Sequence, residues 1–312
     1  MLVMKCSKCS AEAIYYAKYN GLYLCRDHFN EMIEGRVKKE IRKQVEFHGD
    51  DVTISVALSG GKDSSVTLFL LHKILGNRKN MKIKAFTVDE GIDGYRPSGL
   101  ESAKRLCTSL GIDHETISFY DSYGLTLDSI VKTNPVKIPC AYCGPLRRKL
   151  INEMADKQDA DYVALGLNLD DYSQSILMNV AKGDFDRFIR MSPQTDRKVG
   201  LVRRIAPLRT ILEKEVVLYA VTNDIPFDSS WCPYYSRAQR NVFREVVNKL
   251  SEENPSTKFA ILKFFDRVRE NITTGHEEVK LKRCKICGAP TERDVCTACS
   301  SLQEVNEMMA EH

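Results

Sequence analysis

The chain has 312 residues, 43% hydrophobic and 28% charged, with 46 lysines and arginines against 42 acidic residues, a formal net charge of +4. This composition is globular and excludes a largely disordered or collagen-like chain, while the length suits one sizeable α/β core with small appendages. No apolar run of about 18 residues marks a membrane span, and the start MLVMKCSKC lacks the apolar core of a secretory signal, so the eleven cysteines are expected in a reducing, cytoplasmic setting, where they point to metal or thiol chemistry.

Cys6, Cys9, Cys25 and His28 open the chain with C-x2-C…C-x2-H spacing, the four soft or borderline ligands that tetrahedral zinc requires. Residues 1–35 are too few to build much core, so a module there needs its metal to fold. Residues 31–47 then read as a charged helix linking this cluster to the rest. VTISVAL (52–58) is a continuous apolar run ending in glycines, as a buried parallel strand should be. A helix (64–75), a strand (81–88), a helix closed by Gly111 (101–111) and a strand (114–119) follow. A fourth strand at 161–166 and a helix at 170–183 complete an alternation that predicts an α/β fold, a parallel sheet with helices on both faces.

The sharpest motif is SGGKDS, residues 59–64, between the first strand and its helix. Adjacent glycines let the backbone approach a ligand, and the helix start aims unpaired N–H groups and a positive dipole end at an anion. Ser59, Ser64 and Lys62 add hydroxyl and ammonium donors, which makes the segment a phosphate or pyrophosphate cradle. It is not a Walker A loop, because Lys62 is followed by Asp63 and Val56 occupies the earlier glycine position.

PCAYCGPLRRK (139–149) places Cys140 and Cys143 at C-x-x-C spacing, with Arg147 and Arg148 close behind, and WCPY adds Cys232 far off in sequence. Spacing alone leaves three readings level: an incompletely ligated Fe–S centre, a structural pair with one buried thiol, or a metal-free persulfide site. GLNLDD (166–171) follows the fourth strand, and its acidic residues suit either helix capping or magnesium. Eight basic residues against three acidic ones lie in 181–209 (Lys182, Arg187, Arg190, Arg197, Lys198, Arg203, Arg204, Arg209), and five against one in 36–43. Each run alone is an ordinary solvated face; together, with Phe185 and Phe188 for stacking, they suit RNA phosphates and bases. Residues 256–282 read as a charged, mostly helical connector. It leads to Cys284, Cys287, Cys296 and Cys299, a closed C-x2-C-x8-C-x2-C set for a second structural zinc. Cys107 and the histidines His48, His72, His114, His276 and His312 receive no role.

S-G-G-x-D-S after the first strand resembles the signature of the PP-loop ATP pyrophosphatases, of the adenine nucleotide alpha-hydrolase-like fold. These adenylate an oxygen, release pyrophosphate and replace the activated group. The resemblance implies that Ala57, Ser59, Gly60, Gly61, Lys62, Asp63 and Ser64 hold ATP with Mg²⁺. It implies further that Val88 and Asp89 border the adenosine, and that Gly166 and Asp171 belong to the same site. The loop, the C-x-x-C, the distant cysteine and the two flanking zinc clusters, in that order, resemble the TtuA/NcsA-type tRNA 2-thiouridine synthetases over nearly the whole chain. That implies a 4Fe–4S cluster on Cys140, Cys143 and Cys232, and tRNA as substrate. It also implies a sulfur donor, either sulfide or a ubiquitin-like thiocarboxylate carrier, and a homodimer. Arg147 stands where members often carry Lys, which keeps the charge for ATP but alters the geometry. The resulting division is an N-terminal zinc module (1–35), a PP-loop catalytic domain with helical linkers (36–279) and a C-terminal zinc ribbon (280–312).

Overall fold

The computed structural model describes residues 4–47, 51–191, 193–194, 198–273 and 281–310. His48, Arg197, His276, His312 and the end of the expected connector (274–280) lie outside them. A hairpin of β1 (Tyr15–Ala17) and β2 (Leu22–Leu24) leads into helix α1 (Arg26–Gln44). The alternating core follows: β3 (Val52–Ala57), α2 (Lys62–Leu75), β4 (Met81–Asp89), α3 (Arg96–Leu110) and β5 (His114–Ser118). Next come α4 (Phe119–Tyr123), α5 (Leu127–Thr133), α6 (Pro139–Lys157), β6 (Tyr162–Ala164), α7 (Leu169–Ala181), α8 (Phe185–Ile189), β7 (Arg203–Ile205) and α9 (Glu213–Thr222). Helices α10 (Arg240–Glu253) and α11 (Thr257–Thr273), a ribbon of β8 (Lys282–Arg283) and β9 (Pro290–Thr291), and α12 (Thr297–Ala310) close the chain.

The expected parallel sheet is present. Its order is β5-β4-β3-β6-β7 and every pairing is parallel. The chain runs outward from β3 to β5 and then returns to the other side of β3, so the order reverses between β3 and β6. Open α/β sheets bind ligands outside the carboxyl ends of the strands at such a switch point. The segments after β3 and β6 are SGGKDS and GLNLDD, which brings both motifs to that point.

Several bounds differ from expectation. Helix α3 starts five residues before the expected 101, at Arg96, with Pro97 in its first turn, where a missing N–H costs nothing. It ends as expected at Gly111, whose φ of 64° is left-handed. The expected strand 161–166 shortens to Tyr162–Ala164.

The two charged segments read as connectors are core elements. Helix α1 starts directly after Cys25 and buries Phe29, Ile33, Val37 and Ile41, one residue per turn. Burying such a side chain is worth about 1.5–3 kcal/mol. Across from them, the fully buried Glu215 of α9 accepts hydrogen bonds from Tyr15 (3.1 Å) and Tyr19 (2.6 Å) and pairs with Arg36 of α1 at 3.0 Å. The helix runs unbroken through the expected boundary at 35/36. Helix α11 likewise buries Leu262 and Phe265, and the Phe265 ring meets Phe188 edge to face at 5.0 Å.

Candidate functional site

The phosphate loop is built by close backbone approach. Gly60 has φ of 81°, and a Cβ there would stand 1.9 Å from the Gly99 carbonyl oxygen. Gly61 caps α2 with no side-chain bond to its first N–H groups, which leaves them for a ligand. The Ser64 hydroxyl donates to the Gly61 carbonyl (3.0 Å) and accepts from the Ser59 amide (3.1 Å), folding the loop over itself. Gly166 closes the far side, where a Cβ would meet the Ser64 amide nitrogen at 2.6 Å. Ala57 ends β3 below the loop. Lys62 lies between Asp63 (3.0 Å) and Glu213 (2.9 Å). Burial works against its charge, but the two carboxylates outweigh that and raise its pKa above the ordinary lysine value.

Asn168 caps α7 by accepting the Asp171 amide at 3.0 Å, and its side-chain amide donates to Asp63 at 2.9 Å. Two carboxylates, Asp63 and Asp171, are thereby brought to one face of the loop. Burial pushes the Asp171 carboxyl up to about 6 against the pull of Arg240, which pairs with it at 3.0 Å. Such hard oxygen donors beside a phosphate cradle suit Mg²⁺. Val88 is buried at the end of β4, while Asp89 turns its carboxylate onto the Gly91 amide at 2.8 Å.

The three middle cysteines line one cavity of about 210 Å³, together with Glu90, Tyr95, Gly144, Arg147 and Tyr234. Cys140 lies in the first turn of α6, behind Pro139, and Cys143 opens the second, so both sit by the positive end of the helix. Cys232 arrives from the segment after α9, which is tied to the phosphate loop: the Asp228 amide donates to the Gly60 carbonyl at 2.8 Å. Burial pushes the Cys143 thiol up to about 11 and raises that of Cys232. Thiols held so high are poor nucleophiles alone, whereas a bound cation would take their protons. Among the described residues, only the two terminal quartets bring three or more ligand atoms within 4.8 Å of one another. The middle three therefore surround a wider space than a single ion fills.

Glu90 links the two sites. It is 1% exposed and pairs with Arg96 and, at 3.3 Å, with Arg147 of α6. Arg96 in turn donates to the Ser59 carbonyl of the phosphate loop at 3.1 Å. Arg147 thus lines the cysteine cavity and, among the described residues, is linked to the loop through this chain. Arg96 is itself buried, so a Glu90→Ala variant leaves a buried guanidinium unpaired. We expect a destabilisation of about 3–5 kcal/mol, read by denaturant unfolding. An unchanged unfolding midpoint would show that the bridge carries no structural role.

Each terminal quartet is closed. Cys9 and Cys25 lie 3.7 Å apart, and His28 Nδ1 lies 3.4 Å from Cys6 and 3.3 Å from Cys25. Cys287 and Cys296 lie 3.8 Å apart. Zn–S bonds of about 2.3 Å in a tetrahedron require S···S edges of about 3.8 Å, so both sets can hold a metal ion. In each, the second pair sits at the start of a helix, α1 or α12. Helix α12 packs behind the cysteine-bearing helix, and its Glu304 accepts the Tyr142 hydroxyl at 2.8 Å.

The basic run 181–209 does not act as one surface. Arg203 turns inward to Glu46 at 2.9 Å and stacks 4.0 Å from the Tyr162 ring centroid, and Arg209 pairs with Asp266. Phe188 is core, which leaves Phe185 exposed. In the 36–43 run, Arg36 is engaged with Glu215, while Lys38, Lys39, Arg42 and Lys43 face solvent. Sequence reasoning missed Glu90, Arg96, Asn168 and Glu213. Glu90 had a signal in its place just past the carboxyl end of a parallel strand, and Asn168 in its place within GLNLDD, three residues before Asp171.

Comparison with known proteins supplies the rest. A PP-loop domain model matches residues 30–250, and a model of the N-terminal LIM domain of the 2-thiouridine synthetase TtuA matches residues 5–30. The solved U34-tRNA thiolase NcsA of Methanococcus maripaludis, with its 4Fe–4S cluster, is 32% identical with a TM-score of 0.83 over 97% of each chain. The tRNA 2-thiolation protein NcsA of Haloferax volcanii is 34% identical over 97% of this chain and 99% of its own. The tRNA-5-methyluridine(54) 2-sulfurtransferase of Pyrococcus horikoshii is 31% identical over 95% of this chain and 93% of its own. No described helix is long and apolar enough to cross a membrane.

Proposed function

The chain belongs to the TtuA/NcsA family of PP-loop tRNA 2-sulfurtransferases, and from that premise we propose that it converts a tRNA uridine to 2-thiouridine by adenylating the C2 oxygen. The observation that carries this reading is the joining of a phosphate loop and a three-cysteine cavity through Glu90 and Arg96. ATP lies on Ser59–Ser64, with the α2 amides and Lys62 on its phosphates. Asp63 and Asp171 hold Mg²⁺, and Val88 and Asp89 border the adenosine. The uridine C2 oxygen attacks the α-phosphorus and pyrophosphate leaves. A sulfur nucleophile from sulfide or a thiocarboxylate carrier then adds at C2, and AMP departs with the original oxygen. The chain contributes position and charge: the loop neutralises the phosphates, and the cavity holds the base in line with the nucleotide.

Cys140, Cys143 and Cys232 would hold a 4Fe–4S cluster, which supplies an iron without a protein ligand where sulfur can be kept for transfer. The dipole end of α6, the guanidinium of Arg147 and the width of the cavity fit such an anionic, many-atom group. The test is mass spectrometry of tRNA nucleosides after anaerobic reaction with ATP and sulfide. We expect 2-thiouridine that requires ATP, together with iron and sulfide in the purified protein. Activity in an iron-free protein would remove the cluster from the reaction and leave sulfide itself as the nucleophile.

The terminal quartets bind one zinc each, as structural ions. Because α1 starts inside the first quartet, chelation is expected to lower Tm by about 10 °C or more, and Cys25→Ser should do the same. Calorimetry with zinc analysis checks this; an unshifted Tm in metal-free protein would exclude a structural role.

A further inference from the structure

Just outside the lining of the cysteine cavity, on α6 and β7, stand two cations, Arg148 and Arg204, that neither site described above uses. Gly144 lines the cavity, and the Arg148 guanidinium lies across it, with Nη1 3.2 Å from where a Cβ on Gly144 would stand. Unlike Arg147, Arg148 has no carboxylate partner among the described residues. Arg204, in the middle of β7, also has none. Strand alternation turns Arg203 to the far face, onto Glu46, and leaves Arg204 on the face that α6 covers. Helix α6 is joined to that strand by Asn152, one turn beyond Arg148, which donates to the Gly200 carbonyl and accepts the Val202 amide, both at 3.0 Å.

Burial, together with the positive charges of Arg204, Arg147 and Arg187, lowers the Arg148 pKa to about 10. Burial likewise lowers that of Arg204. Arg148 is exposed and Arg204 half-buried, and two guanidiniums on one face with no carboxylate between them favour an anion that joins them. Their planar donors match a phosphate in two-pronged fashion. A nucleotide seated in the cavity carries its own flanking phosphates toward these cations.

We propose that Arg148 and Arg204 form a subsite for the RNA phosphodiester adjacent to the reacting nucleotide. The subsite rests on the tRNA reading above and assigns its nearest backbone contact.

The test uses anaerobically purified full-length protein with bound iron and compares Arg148→Gln, Arg204→Gln and the double variant with the wild type. The readouts are tRNA Kd against salt, Kd for inorganic phosphate, KM for ATP, and iron content. The double variant should bind tRNA about tenfold more weakly, with a slope of log K against log salt smaller by about 1–2. Its KM for ATP and iron content should stay within about twofold of wild type. Arg148→Lys with Arg204→Lys should keep the wild-type slope, because the charge remains. Unchanged tRNA Kd and slope in a folded, iron-replete double variant would overturn the subsite. So would loss of inorganic phosphate binding with tRNA affinity intact, since the site would then serve a free anion. Wild-type protein that binds tRNA with the expected salt slope but forms no 2-thiouridine would sink the proposed reaction and leave the subsite standing.

Discussion

Replacing Cys232 with alanine should abolish 2-thiouridine formation, a loss of at least about 10³-fold, which corresponds to about 4 kcal/mol of barrier. Cys140→Ala and Cys143→Ala should match it. All three thiols face one cavity, and removing any one leaves two ligands where a cluster needs three. Stability should move far less, because Cys140 is exposed and Cys143 and Cys232 are only partly buried. Cys107 is the internal control. It is buried in the core and its thiol is pushed up to about 11 by that burial alone. Cys107→Ala should lower Tm by a few degrees and leave iron content and thiolation near wild type. The pairing of a stable, iron-poor, inactive Cys232→Ala with an active Cys107→Ala supports the site. Full activity in Cys232→Ala would remove its foundation.

The second large effect separates two neighbouring glycines. In Gly60→Ala the new Cβ would fall 1.9 Å from the Gly99 carbonyl oxygen and 2.5 Å from its carbon, and backbone cannot swing aside as a side-chain end would. The left-handed φ adds about 1–2 kcal/mol. Relief must come from moving either the loop or the start of α3, and Arg96 of that helix holds the Ser59 carbonyl. We expect ATP affinity to fall by about 100-fold or more and stability by about 3 kcal/mol or more. In Gly61→Ala the nearest atom is the Ser59 hydroxyl at 3.5 Å, an ordinary contact, and φ is −76°. Its Tm should change little. Nucleotide titration and melting of the pair decide the matter; equal behaviour would contradict the packing.

What could be read from sequence was local. SGGKDS, the two C-x2-C quartets and the strand–helix alternation declare themselves within a few residues, and the structure brings their parts together. Long-range features did not. Strand β7 contains two arginines and read as basic surface; one of them is neutralised by Glu46, 157 positions away. Helix α1 read as a connector because its exposed face is lysine and arginine, although Phe29, Ile33, Val37 and Ile41 already keep helical spacing. Arg147 is the instructive case. The family resemblance assigned it to ATP, while its partner Glu90, from another strand end, sets it at the cysteine cavity.

The continuity of α1 has a consequence for the living cell. Since Cys25 and His28 open the helix whose side chains fill the main core, a metal ion bound at that end would share a single folding equilibrium with the sheet at the centre. Ion binding to the native chain adds stability by mass action, so falling metal supply would enlarge the unfolded fraction exposed to proteases. The amount of enzyme, and with it the thiolated share of the tRNA pool, would then track zinc availability even when ATP and sulfur are plentiful.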